Sequence, residues 1–136
     1  VMSDESTTVT RREVNYLIAI KEISETNGRA TLTDIAQRLN VSVPSVYEEV
    51  NHLVRKGLVK KTARSITLSE KGEKAIRAYL RAHRVIETLL VKAGVPPEKA
   101  CELSSKFDVE VPKEVVEAIF KFLGKPEQCP HGNPIA

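Results

Sequence analysis

A mainly α chain, built as a winged helix-turn-helix domain followed by an α-helical dimerisation domain, is what three features of this 136-residue sequence predict. The first is a pair of amphipathic stripes around residues 33–56. Leu32, Ile35, Ala36 and Leu39 recur at helical spacing, and after a polar break at Asn40 a second stripe runs through Val43, Val46, Val50, Leu53 and Val54. The second is a pair of short β-prone runs directly after them, closing on a basic tip. The third is a long helical pattern from Ser69 to about Ala93, apolar enough on one face to need a partner. The expected division is 1–72 for the winged helix-turn-helix and 73–136 for the helical domain and tail.

Composition narrows the class further. A hydrophobic content of 41% is ordinary for a globular chain. No apolar run approaches the roughly 20 residues of a membrane span, and the N-terminus is polar without a secretory apolar core, so the expectation is a cytoplasmic protein with no membrane partner. Cys101 and Cys129 then read as reduced thiols or metal ligands rather than a disulfide. The net charge of +3 permits nucleic-acid binding without requiring it.

Taken in order, Val1 to Val9 read as a loose arm. Thr10 and Glu13 have capping-box spacing for a first helix, with Val14, Leu17, Ile18 and Ile23 as its buried stripe and Gly28 as its stop. Thr31 and Asp34 repeat the cap signature for a second helix, although Thr33 is an equal candidate for the cap. Asn40, Val41 and Ser42 form the turn; Ser42 caps the third helix, Pro44 sits in its first turn, and Gly57 ends it. Residues 58–62 and 66–68 flank Ala63-Arg64-Ser65 as a hairpin. Ser69 opens the long helix, which Gly94, Pro96 and Pro97 end; at about 1.5 Å per residue it spans well over 30 Å. A fifth helix runs from Glu98 to about Phe107 and a sixth opens at Pro112, carrying Val115, Val116, Ile119, Phe120 and Leu123. The tail from Cys129 to Ile135 is too rich in proline and glycine for regular structure.

A helix that reads DNA needs short polar donors near its N-terminus and a cationic neighbour for phosphate. Ser42, Pro44, Ser45, Tyr47, Glu48 and Asn51 occupy those positions on the third helix, and Lys60, Lys61 and Arg64 lie on the hairpin, or wing. Glu48 is out of character, since a carboxylate repels phosphate; it either accepts from a cytosine amino group or faces away. Double-stranded DNA is the implied partner. On the long helix, His83 and Glu87 stand four apart on one face, close enough to hold one metal ion. Cys101, Cys129 and His131 all fall in the same C-terminal half. Imidazole, thiolate and carboxylate together suit a divalent transition metal, zinc foremost, with iron or manganese also admissible. An enzyme is not expected: no general base sits beside these residues at a spacing such as His-Glu-x-x-His.

The order of helix, winged helix, long helix with Arg81-Ala82-His83-Arg84-Val85-Ile86-Glu87, two further helices and the ending Cys129-Pro130-His131-Gly132-Asn133-Pro134-Ile135 resembles the diphtheria toxin repressor family, and within it the iron-dependent regulators. The resemblance implies a homodimeric, metal-dependent repressor acting on a palindromic operator. It implies the two-domain form, the sequence ending where the SH3-like third domain of many members would begin. The family's ancillary metal site maps onto His83, Glu87 and Cys101, a thiolate standing where the family has an imidazole. Its primary site maps onto Asn15, Ser105, Asp108 and Val109, of which only Asp108 is a strong ligand. A shifted register would put Cys101 in the primary site, but Ser104 and Ser105 would still not supply the Glu and His that follow. Asp108, Cys129 and His131 are therefore further candidate ligands, with Cys129 or His131 folding back as a fourth. Two other functions stay open: a metal-independent winged-helix DNA-binding protein with a structural metal or none, and a protein-interaction module.

Overall fold

The computed structural model describes residues 9–135, so the arm expected over Val1 to Val9 lies almost wholly outside the described residues. Six helices and one hairpin follow in the predicted order: α1 (Arg11–Asn27), α2 (Leu32–Leu39), α3 (Val43–Arg55), β1 (Val59–Lys61), β2 (Ile66–Leu68), α4 (Glu70–Lys92), α5 (Pro97–Ser104) and α6 (Lys113–Phe122). The chain is mainly α, with a winged helix-turn-helix followed by a helical half. Two compact units meet within α4, the first ending at Ile76 and the second beginning at Arg77.

Local chemistry sets the helix starts of the first unit. Thr10 and Glu13 form a reciprocal capping box on α1, Thr31 and Asp34 do the same on α2, and the Ser42 hydroxyl accepts from the Ser45 backbone N–H on α3. Thr31, not Thr33, is the cap of α2. The turn between α2 and α3 works because Asn40 takes the left-handed conformation at φ 58°, which asparagine tolerates and β-branched residues do not. β1 and β2 pair antiparallel with Lys60 opposite Thr67, and the Ile66 N–H donates to the Ala30 carbonyl, fastening the wing to the segment before α2. Leu17, Ile20, Ile35, Val46, Val50, Leu53 and Leu58 are fully buried. Ile18 is only half-buried, while Tyr16, Ala19 and Ile20 are buried on the same helix. Val43 and Val54 are exposed: they flank the buried stripe of α3, so its apolar face is narrower than periodicity suggests.

The first turns of α4 belong to this unit because they pack on it. Gly72 lies against the Leu58 carbonyl, Lys71 donates to the Lys56 carbonyl, and Glu73 pairs with Lys21 at 3.1 Å. In the second unit, Ala82, Val85, Val116, Cys129 and Ile135 form one apolar cluster, with Val111, Ile119, Phe120 and Leu123 against it. Arg81 grips Glu117 through two hydrogen bonds of 2.7 and 2.9 Å and lies over the Phe120 ring, holding α4 to α6. The fifth helix stops at Ser104, earlier than its apolar pattern suggests; after a turn, a 3-10 segment follows at Asp108–Glu110. The tail has no regular helix or strand beyond a single bridge between Gln128 and Pro134.

Candidate metal centre and nucleic-acid interface

On the first unit, the side chains assigned to DNA lie on α3 and the wing. Ser42 and Ser45 are joined Oγ to Oγ at 2.9 Å at the exposed start of α3, and Pro44, Glu48, Lys60, Lys61 and Arg64 are exposed. Tyr47 is 50% exposed, with the Lys61 ammonium 4.3 Å from its ring centroid. Lys61 also donates to the Asn51 side-chain carbonyl at 3.3 Å. One wing lysine thus leans on two residues of α3, so that helix and wing present a joint surface. At the wing tip, Thr62 organises the turn through bonds with Ser65.

Behind α3 lies a network that local sequence patterns do not indicate. Glu13, only 4% exposed, accepts from the Thr10 backbone N–H, pairs with His52 Nε2 at 2.6 Å, and receives Lys56 Nζ at 2.8 and 3.0 Å. Burial pushes its carboxyl up, but Lys56, the Thr10 N–H and His52 outweigh that and hold it below its ordinary 4.5. Glu49 joins Glu13 and His52 within metal-binding range, yet Lys56 contacts both Glu13 oxygens. This group is therefore an ion-paired tie between α1 and α3, with a cation already in place.

On the second unit, α4 presents His83 and Glu87 one turn apart, and α5 brings Cys101 to them. His83 Nε2 stands 3.4 Å from Glu87 Oε2 and 3.5 Å from Cys101 Sγ. Around a tetrahedral ion with bonds of about 2.0–2.1 Å to N or O and 2.3 Å to S, neighbouring ligand atoms stand about 3.4 Å apart for N/O pairs and about 3.6 Å for N/S pairs. The observed spacings fit that polyhedron, and the donor types fit a divalent transition metal. Asp108, the other buried carboxylate here, meets His83 Nδ1 at 2.8 Å. With Nδ1 donating to that carboxylate, the Nε2 lone pair is left facing Glu87 and Cys101. Asp108 thus acts on the far side of the ring, a role that its position in the sequence does not signal.

The tail returns to the same place. Glu87, Cys129 and His131 form a second group whose ligand atoms lie within 4.8 Å of one another, with His131 Nδ1 3.1 Å from Glu87 Oε2. Glu87 is 2% exposed and belongs to both groups. Burial at the sulfur, then Glu87, then Asp108 and Cys129, push the Cys101 thiol above its ordinary 9.0. Cys101 is exposed as a residue, so the carboxylate contribution is the part that a bound cation would reverse. Asn15 and Ser105, which the resemblance sets at the family's primary site, offer only an amide and a hydroxyl, and Val109 offers no side-chain donor.

Comparison with known proteins places both halves. Residues 8–65 match the iron dependent repressor N-terminal DNA binding domain, and 69–136 match the iron dependent repressor metal binding and dimerisation domain. The iron-dependent repressor IdeR of Mycobacterium tuberculosis is 33% identical over 122 residues, covering 88% of this chain and 53% of its own length. The chain thus spans about half the length of the curated relatives that it matches first. Among solved structures, the hypothetical protein SSo2273 from Sulfolobus solfataricus superposes with a TM-score of 0.90 at 41% identity, covering 94% of this chain and 99% of that one. ScaR with bound Zn2+ superposes with a TM-score of 0.80 at 32% identity, over 90% of this chain and 58% of that one; another structure of ScaR describes it as a manganese-activated repressor.

Proposed function

The chain belongs to the diphtheria toxin repressor and iron-dependent repressor family of metal-dependent transcriptional repressors, and on that premise we propose that it is a metal-responsive repressor that binds a palindromic operator as a homodimer. The observation that carries this reading is the convergence of His83 Nε2, Glu87 and Cys101 Sγ in a helical unit that follows a winged helix-turn-helix. Residues 1–72 serve as the DNA-binding domain and 73–136 as the dimerisation and metal-binding domain. A divalent metal suits the donor set, and zinc is the proposed ion, because a thiolate beside an imidazole disfavours manganese. His83, Glu87 and Cys101 would hold it, Asp108 would orient His83, and Cys129 and His131 are additional donors. When bound, the ion supplies positive charge to two buried carboxylates and joins α4 to α5.

On the DNA side, Ser42, Pro44, Ser45, Tyr47, Glu48 and Asn51 face the major groove, while Lys60, Lys61 and Arg64 meet phosphate. Two such helices in a dimer fit successive grooves when their centres lie about 34 Å apart. Metal changes operator affinity only through its differential affinity for fitting and non-fitting arrangements. The site of action is the cytoplasm, where thiols stay reduced. No helix among the described residues is long and apolar enough to cross a membrane. As a transcriptional regulator the protein needs no catalytic group.

The weak donors at Asn15 and Ser105, and the lack of any side-chain donor at Val109, favour a second reading, in which DNA binding is constitutive and the metal is structural. Gel-shift titrations with zinc-loaded and chelator-stripped protein separate the two. The sensor reading expects at least about a tenfold loss of affinity on stripping, within the usual range of coupling energies. Unchanged affinity after elemental analysis verifies metal removal leaves the constitutive protein.

A further inference from the structure

We propose that Lys61 is a positioning residue for base reading: held by Tyr47 and Asn51, it fixes the Asn51 side chain as a hydrogen-bond donor and so selects guanine over adenine at the base pair that Asn51 meets. This rests on the reading of α3 as the helix that enters the major groove, and adds a base preference to it.

The strand sets the direction of the lysine. Alternate residues of a strand share a face, and residues directly opposite each other in an antiparallel pair share it too. Val59 and Lys61 are therefore on one face of the hairpin with their partners Leu68 and Ile66. Val59 and Ile66 are each 3% exposed, so this is the inner face, while Lys60 and Thr67 are exposed on the other. The Ile66 N–H, bonded to the Ala30 carbonyl, fastens the end of the hairpin from which Lys61 departs. Because α3 packs on β1, an inner-face lysine at that end meets the helix, and Lys60 does not. Two attractions then hold the Lys61 ammonium: the Tyr47 ring, 4.3 Å from its centroid, and the Asn51 Oδ1, at 3.3 Å.

The consequence for Asn51 is chemical. An ammonium can only donate, so the amide must turn its oxygen to Lys61, which leaves the two Nδ2 hydrogens as the groups that Asn51 offers a ligand. An asparagine free to rotate reads adenine bidentately, donating to N7 and accepting from the N6 amino group. That mode needs the oxygen that Lys61 occupies. Guanine presents two acceptors in the major groove, N7 and O6, which suit a group that donates only. The Lys61 charge acts in the same sense: a cation next to the amide attracts guanine's acceptors and repels the adenine amino group. Lys61 thus does more than draw phosphate. Through Asn51 it influences which base the helix accepts, a task that the exposed Lys60 and Arg64 do not share.

The test is selection from a pool of DNA duplexes with a randomised centre, followed by sequencing, on the zinc-loaded full chain and its Lys61→Met, Asn51→Ala and Lys60→Met variants and the Lys61→Met/Asn51→Ala double variant. Lys61→Met keeps the apolar stem and removes the donor and the charge. The pair that Asn51 reads is the one whose preference Asn51→Ala abolishes. There the parent should enrich guanine over adenine, and Lys61→Met should move that ratio towards adenine by about tenfold, within the discrimination one base contact supplies. Lys61→Met should change no preference in the Asn51→Ala background, because it acts through that amide. Lys60→Met, the phosphate control, should weaken all sequences about evenly. The proposal is overturned if Lys61→Met also weakens all sequences evenly, if the parent already prefers adenine at that pair, or if Asn51→Ala alters no preference. Each of those results leaves the operator-binding reading standing. If the parent enriches no sequence and binds no duplex in a salt-sensitive way, the DNA reading itself falls, and the role of Lys61 with it.

Discussion

Glu13 was recognisable as a helix cap, yet its larger role is to join α1 to α3 through His52 and Lys56, 39 and 43 residues away. Glu13→Gln keeps the size of the side chain and removes the charge that Lys56 pairs with, so we expect a loss of about 2 kcal/mol in urea unfolding. The pH dependence has a definite sign. Because the folded carboxyl titrates below its ordinary 4.5, its contribution is fully present above that pH and is lost as pH falls through the lowered value. The stability gap between parent and Glu13→Gln is therefore widest near neutrality and narrows below pH 4.5; a gap that widens in acid would refute the assignment. Asp108 offers a second test at this scale. Asp108→Asn preserves shape but weakens the bond that orients His83, and zinc affinity measured by calorimetry should fall about 10- to 100-fold. An unaltered affinity would mean that the ring holds its place without the carboxylate.

Elements show where local rules stop. The capping boxes of α1 and α2, the serine cap of α3 and the left-handed Asn40 each involve residues no more than a few positions apart, so their pattern is visible in the chain itself. The junction of wing and α4 is different. Gly72 is unremarkable in sequence, but a Cβ there would lie 2.1 Å from the Leu58 carbonyl oxygen. Gly72→Ala must move α4 or the residue before β1, and the expected cost is about 1–3 kcal/mol, read as a lowered melting temperature of the full chain. A melting temperature equal to or above the parent's, as helix propensity alone predicts, would show that the contact relaxes freely. At the end of α5, Ser104 is fully buried and donates its hydroxyl to the Ala100 carbonyl, and the turn that follows brings Asp108 to His83.

For the whole molecule, the helical half leaves large apolar groups in solvent: Leu103, Phe107, Val115 and, at 82% exposure, Phe122. In the proposed homodimer, these exposed apolar side chains are the expected seat of the contact. Phe122→Glu should shift sedimentation velocity at micromolar protein towards the monomer while leaving the far-ultraviolet circular dichroism unchanged. A dimer that withstands the substitution would locate the contact elsewhere.

From sequence alone came the mainly α class, the winged helix-turn-helix, the order of all six helices and the pairing of His83 with Glu87, because caps, apolar periods and i, i+4 spacing act within a few residues of chain. The joining of Lys61 to Tyr47 and Asn51, the Glu13 network, the Asp108 bond behind His83 and the meeting of Cys129 and His131 at Glu87 were decided only by tertiary structure. Each joins side chains on different elements or on the tail, and no local pattern specifies which donor a buried carboxylate will meet. His83 and Glu87 thus declare themselves as a candidate pair in sequence, but packing of α4, α5 and the tail determines which groups surround them.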